Sequence, residues 1–112
     1  MREGLEKLLA QGKDGALLRF GLGNAFLQEA NYASAAEHLE QAVIHNPQYS
    51  AAWKLLGKAY LALDKPAQAE QAWAQGMQVA QANGDAQTAK EITVFLKRLG
   101  GFKSEVQHLP PE

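Results

Sequence analysis

The side chains able to do chemistry in this 112-residue chain are few, and their spacing argues against a reaction centre. Three histidines, His38, His45 and His108, are the candidate metal ligands or proton carriers. Two ligands to one ion on a helix stand four residues apart, as in a His-Glu-x-x-His run. His38 and His45 are seven apart, about two turns, and no further ligands follow in a recognisable order to complete a zinc site. They read as exposed helix histidines, with no metal expected. Cysteine is absent, which removes disulfides, thiol nucleophiles and Cys-type zinc sites together. Gly21-Leu22-Gly23 falls inside a helical pattern, so its glycines read as packing residues and not as a phosphate cradle, and no Gly-x-Ser-x-Gly elbow occurs. Glu37 and Glu40 are surface charges on adjacent turns, with no low-dielectric cleft implied. We therefore expect neither an enzyme nor a cofactor. What remains is cationic: Lys54 and Lys58, four apart, share a helix face on which like charges are mildly destabilising. A shared acidic ligand is one reason to keep such a pair, and an ordinary solvated surface is the other.

The elements that carry these residues repeat. Leu22-Gly23 recurs as Leu56-Gly57, 34 residues later, each followed after three residues by an aromatic, Phe26 or Tyr60. At the same offset Ala25 matches Ala59, Leu27 matches Leu61, Ala33 matches Ala67 and Ala35 matches Ala69. A glycine inside a helix costs about 1 kcal/mol relative to alanine, so a matched pair needs a tertiary reason. Close helix contact is the natural one. Gly23 is expected to face Ala35, and Gly57 to face Ala69, across a short helical hairpin. Leu22, Phe26 and Leu39 would fill the first seam, and Leu56, Tyr60 and Trp73 the second.

A 34-residue period with W-x2-L-G-x2-Y is the signature of the tetratricopeptide repeat. The second unit reads Trp53, Leu56, Gly57, Tyr60, Ala69. The first has Arg19 where tryptophan is usual but keeps Leu22, Gly23, Phe26, Ala35, Leu39, Ala42 and Pro47. The chain resembles that family over residues 16–83, and its flanks do so loosely. The resemblance implies an all-α fold, a right-handed array of antiparallel helical hairpins forming an α-solenoid of about six helices. It also implies a concave face, lined by the first helix of each hairpin, on which an extended peptide or a partner helix docks. Mapped residue by residue, that face takes Phe20, Asn24, Leu27 and Gln28 from the first unit and Lys54, Lys58 and Leu61 from the second. A last helix would add Lys90, Val94, Lys97 and Arg98. The carboxylate clamp of chaperone-binding relatives is not matched. Asn24 fits its slot, but Phe20 and Leu55 replace a lysine and an asparagine, and Gln87 and Glu91 replace the last two cations. Phe20 and Leu27 suggest an apolar contact to a ligand or, equally, packing under the first helix.

Along the chain a single domain is expected over residues 1–99. A short helix over 3–11, with Leu5, Leu8 and Leu9 on one face, caps the array. The repeats follow at 16–49 and 50–83, and a capping helix at 86–99 hides one apolar face and wets the other. In that helix Ala89, Ile92 and Leu96 take the slots of Trp53, Leu56 and Tyr60. Asp14, Asn31 and Asp85 read as helix caps, Pro66 as a first helical residue, and Asn46-Pro47 and Asn83-Gly84 as stops. Gly100-Gly101 should break the last helix and leave 100–112 as a flexible tail. The Met start and capped ends read as a complete protein.

A formal net charge of −1 and a pI near 6.3 argue against general nucleic-acid binding. Arg2, Glu3, Glu6 and Lys7 interrupt the N-terminal leucines, so no signal peptide is read there. No run approaches the ~18 apolar residues needed to span a bilayer. These features point to a cytoplasmic protein with no nucleic-acid and no membrane partner; the family resemblance implies that it binds a protein or peptide partner, and a monomer or weak homodimer is expected. The other class left standing is a structural module that self-associates through an end of the array, Leu5, Leu8 and Leu9 being the candidate contact.

Overall fold

Six α-helices make up the computed structural model, which describes residues 2–107 and the side chains of 2–100. They are α1 (Arg2–Ala10), α2 (Ala16–Gln28), α3 (Tyr32–His45), α4 (Ser50–Ala62), α5 (Pro66–Asn83) and α6 (Ala86–Gln107). α2 pairs with α3 and α4 with α5 as antiparallel hairpins, while α3 meets α4 and α5 meets α6. Each element thus touches mainly its neighbours. The Cα radius of gyration is 15.2 Å, above the ~13 Å of a compact globule of this length, as an open array requires.

Local chemistry sets the helix ends. Asn31 caps α3, its side chain accepting from the Ser34 N–H at 3.3 Å. Asp85 caps α6 by accepting from the Thr88 N–H at 3.1 Å, and its other oxygen takes the Ser50 hydroxyl at 2.7 Å. One carboxylate therefore ties the starts of α4 and α6 together. Pro66 opens α5, and Gly84, at φ 70°, closes it in the left-handed region. The hairpin turns repeat at the 34-residue offset: Ala30 and Asp64 both stand at φ 60°. Asn31 N–H bonds Phe26 O, and Lys65 N–H bonds Tyr60 O, both at 2.9 Å.

Asp14 departs from the expectation. α2 starts after Gly15 without a side-chain cap, and Asp14 instead accepts from the Arg19 guanidinium at 2.8 and 2.9 Å. Arg19 occupies the slot of Trp53, whose indole N–H donates to the Pro47 carbonyl at 2.8 Å. Both side chains thus tie the first helix of their hairpin to the loop before it, one by charge and one by an indole. The Arg19 guanidinium holds the Asp14 carboxyl well below the usual carboxylate range.

α6 is also longer than expected. It continues through Gly100-Gly101 to Gln107, so the break after Leu99 is not there. Glycine taxes a helix by about 1 kcal/mol but, unlike proline, neither lacks an N–H nor clashes with the preceding turn. Buried Leu99 seats the helix just before the pair. The rest of the expected tail, 108–112, lies outside the described residues, as does His108.

Leu22, Leu39, Ala35, Ala42, Ala52, Leu56 and Ala59 form the core of the two hairpins, and Ala69, Trp73, Ile92 and Leu99 a second core under α6. The repeated glycines do make a close approach, but not to the expected partners. A Cβ on Gly23 would lie 2.7 Å from Leu39 Cδ2, and one on Gly57 would lie 2.5 Å from Trp73 Cδ1. Helical side chains lean toward their own N-terminus, so the spot opposite each glycine is covered from one turn beyond Ala35 or Ala69. Gly76 plays a similar part, unremarked in the sequence. A Cβ there would stand 2.8 Å from Trp53 Cβ and 3.0 Å from Ile92 Cδ1, so it lets α5 lie between α4 and α6.

Gly57→Ala should accordingly lower stability by about 1–3 kcal/mol through overpacking against the indole, whereas Gly4→Ala, whose Cβ meets nothing within 4 Å, should stabilise by about 0.5–1 kcal/mol. Thermal melts of the two variants check this, and an undiminished melting temperature for Gly57→Ala would contradict the packing described.

Candidate functional site

Two hollows lie side by side along the face made by α2, α4 and α6. The first, about 450 Å³, is bounded by Asn24, Leu27 and Gln28 of α2, Tyr32 of α3, and Leu55, Lys58 and Ala62 of α4. The second, about 520 Å³, lies between α4 and α6, with Leu61 and Lys58 on one wall and Phe95 and Arg98 on the other. Trp73 and Pro66 of α5 form its floor, and Asp64 stands at its turn end. Lys58 and Ala62 border both hollows, which makes them one trough. Alanine at position 62 keeps the ridge between them low.

The structure brings together Asn24, Leu27, Gln28, Lys58, Leu61 and Arg98 from the residues expected on this face. Phe20 is not among them. It is half-buried and stacks on Tyr49, centroids 4.8 Å apart at 25°. Lys54 is no free cation: its ammonium lies 3.3 Å from both carboxylate oxygens of Glu91, with only 18% of its side chain exposed. The expected Lys54 and Lys58 pair is thereby relieved of its repulsion by a carboxylate from α6. Lys90, Val94 and Lys97 are exposed and border neither hollow, the stripe of α6 turned to α4 being Glu91, Phe95 and Arg98. One residue is 100° of a helix, so a small error in phase selects the wrong stripe.

Phe95 is what the sequence reading missed. Its ring sits 5.3 Å from that of Trp73, tilted by 31°, and the Lys58 ammonium lies 5.8 Å over its face. The repeat register gave no signal for it, because with Ile92 in the slot of Leu56 position 95 falls in that of Ala59.

The titratable groups elsewhere serve packing. His38, expected to be exposed, is half-buried between Arg19 and Phe26: its Nδ1 is 3.1 Å from Arg19 Nη1, and its ring stacks on Phe26 at 5.4 Å and 1°. Burial, then the Arg19 charge, push its pKa down. His45 is exposed, with Nε2 3.4 Å from Asp14. Burial, with the Glu40 carboxylate alongside, pushes the Tyr60 phenol up to about 12, so it stays a neutral donor. Among the described residues no group of three or more His, Asp or Glu stands placed to hold a metal ion, and no helix is long and apolar enough to cross a membrane.

The family profile for the tetratricopeptide repeat matches residues 20–86, more than half of the chain. The chain belongs to the tetratricopeptide repeat family. It is 56% identical over 99 residues to the TPR repeat-containing protein PA0015 of Pseudomonas aeruginosa, across 88% of this chain and 94% of that one. The solution structure of protein BPP2914 from Bordetella parapertussis superposes with a TM-score of 0.84 at 41% identity, covering 100% of this chain and 97% of the other. The trough runs along α2 and α4, the first helices of the two hairpins, and Leu22, Gly23, Phe26, Ala35 and Pro47, with Trp53, Leu56, Gly57, Tyr60 and Ala69, all lie within the matched stretch. Tetratricopeptide repeats are generally non-catalytic modules for protein interaction.

Because the folded chain favours neutral His38, stability should be whole above the ring's ordinary pKa of 6.5 and fall as acid protonates it below that. Urea midpoints at about pH 7.5 and about pH 5.5 should separate for the wild type and draw together in His38→Gln; equal separation in both would remove His38 as the cause.

Proposed function

We propose that this chain is a non-catalytic interaction module that takes a peptide segment or partner helix of another protein along the α2–α4–α6 trough, in a cytoplasmic setting. The continuity of the two hollows through Lys58 and Ala62 carries this reading. An extended segment or an amphipathic helix needs a groove with spaced apolar contacts, and Leu27, Leu55, Leu61 and Phe95 supply them in succession across three helices. Asn24 and Gln28 offer amide donors and acceptors at one end, suited to a peptide backbone. Two repeats give a short groove, so affinity is expected to be modest and strengthened within a larger assembly.

Ala62 is exposed, and Ala62→Arg places a bulky cation on the ridge without disturbing the core. Partner proteins retained from the source cell lysate by the wild type should be lost by Ala62→Arg at an unchanged melting temperature. Equal recovery would move the site off the trough.

A second reading rests on the other end of the array. Leu17 is 75% exposed and, with Leu5, Leu8 and Leu18, borders a hollow of about 490 Å³ between α1 and α2. Self-association through that end would cover it. Sedimentation velocity over a dilution series should then reveal a dimer that Leu17→Lys abolishes, and a monomer at every concentration would dismiss it.

A further inference from the structure

We propose that the α4–α6 corner of the trough selects partner segments in which a bulky apolar side chain is flanked by carboxylates. This rests on the trough being the binding face and adds what it recognises.

Among the described residues, the corner is where the two free cations of the trough, Lys58 and Arg98, meet beside an aromatic wall. Its volume of about 520 Å³ falls in the ~300–1,000 Å³ range of ligand pockets. Its lining is largely apolar: Leu61 is 44% exposed, opposite Phe95 and above Trp73 and Pro66. An apolar side chain entering there replaces water against Leu61 and Phe95, and the Phe95 ring, backed by buried Trp73, gives a rigid seat at low entropic cost.

The rim decides the charge. Lys54 is engaged by Glu91, whereas Lys58 and Arg98 are exposed with no carboxylate partner among the described residues. Lys58 is held over the Phe95 ring, at the mouth of the corner, by a cation–π contact. Asp64, at the turn end, is the acidic residue of the lining and leaves the corner net positive by one. A carboxylate beside the anchor is drawn toward Lys58 and Arg98 and repelled from Asp64, which also sets the direction of the bound segment. Apart from the shared Lys58, the polar groups of the first hollow are the neutral amides of Asn24 and Gln28 and the Tyr32 hydroxyl, whereas Arg98 and the Phe95 ring belong to the corner alone. Discrimination therefore belongs to the corner, and its electrostatic part should weaken with salt.

Selection of short random linear peptides displayed on phage against the full chain tests this without presupposing a ligand. Enriched sequences should centre on Phe, Leu or another bulky apolar residue with Asp or Glu close on either side. A synthetic peptide of the enriched sequence should shift the Trp73 indole and Phe95 amide resonances. Replacing its acids with lysine, or binding it to Lys58→Glu/Arg98→Glu, should weaken affinity roughly tenfold or more, while Asn24→Ala costs much less. Both substituted positions are exposed, and circular dichroism of the double variant checks its fold. Enriched peptides that lack acids, or whose shifts centre on Asn24 and Gln28, overturn the charge preference and leave the trough reading standing. Failure of any peptide to perturb either hollow overturns both.

Discussion

The indole of Trp73 lying in the space left by Gly57 is the contact on which the rest of this small array depends. It is 1% exposed, and its N–H donates to the Lys54 carbonyl at 3.0 Å. Because glycine has no Cβ, α5 approaches α4 closely enough for the ring to lie on its backbone, and that approach fixes the depth at which α6 can settle. Phe95 then packs on the outer edge of the same ring. One small-to-large pairing thus sets the hairpin spacing, the seat of the last helix and the floor of the hollow between them. The first hairpin uses the same device with Leu39 in place of the indole.

Around this contact the polar groups divide by task. Asp85 with Ser50, Trp53 with Pro47, and Asn83 with the Gln48 carbonyl hold the helix starts and the α3–α4 loop in register. Lys54 with Glu91 spans α4 and α6. Partly exposed ion pairs of this kind are worth about 0–1 kcal/mol, so its effect is positional: it turns the Glu91, Phe95, Arg98 stripe toward α4. It also consumes one cation of the concave side. Charge on that side is therefore concentrated at the α4–α6 corner, where two cations face a largely apolar hollow.

The histidines illustrate the same economy of a small fold. His38 lies between Arg19 and Phe26, in the position where the second repeat has Ala72, and fills volume that a small core cannot leave empty. The arginine in the tryptophan slot explains why. With Arg19 reaching back to Asp14 and across to His38, the first hairpin closes its outer seam by hydrogen bonds where the second uses an indole.

By itself the sequence determined whatever depends on neighbours along the chain. The period carried by Leu22-Gly23 and Leu56-Gly57, the caps at Asn31 and Asp85, the opening at Pro66 and the stop at Gly84 are local signals, because capping and backbone geometry act within a turn. Hydrophobic spacing likewise placed Leu56, Trp73 and Ile92 in the core. Tertiary structure decided which surfaces meet. Side-chain lean put Leu39 and Trp73, not Ala35 and Ala69, against the glycines, and the roll of α6 brought out Phe95 and Arg98 instead of Val94 and Lys97. The partner of Lys54 lies 37 residues away, so no local pattern could assign it. A helix's own periodicity says that it has an apolar face; the depth and rotation at which that face docks are set by the volumes of the helices it meets.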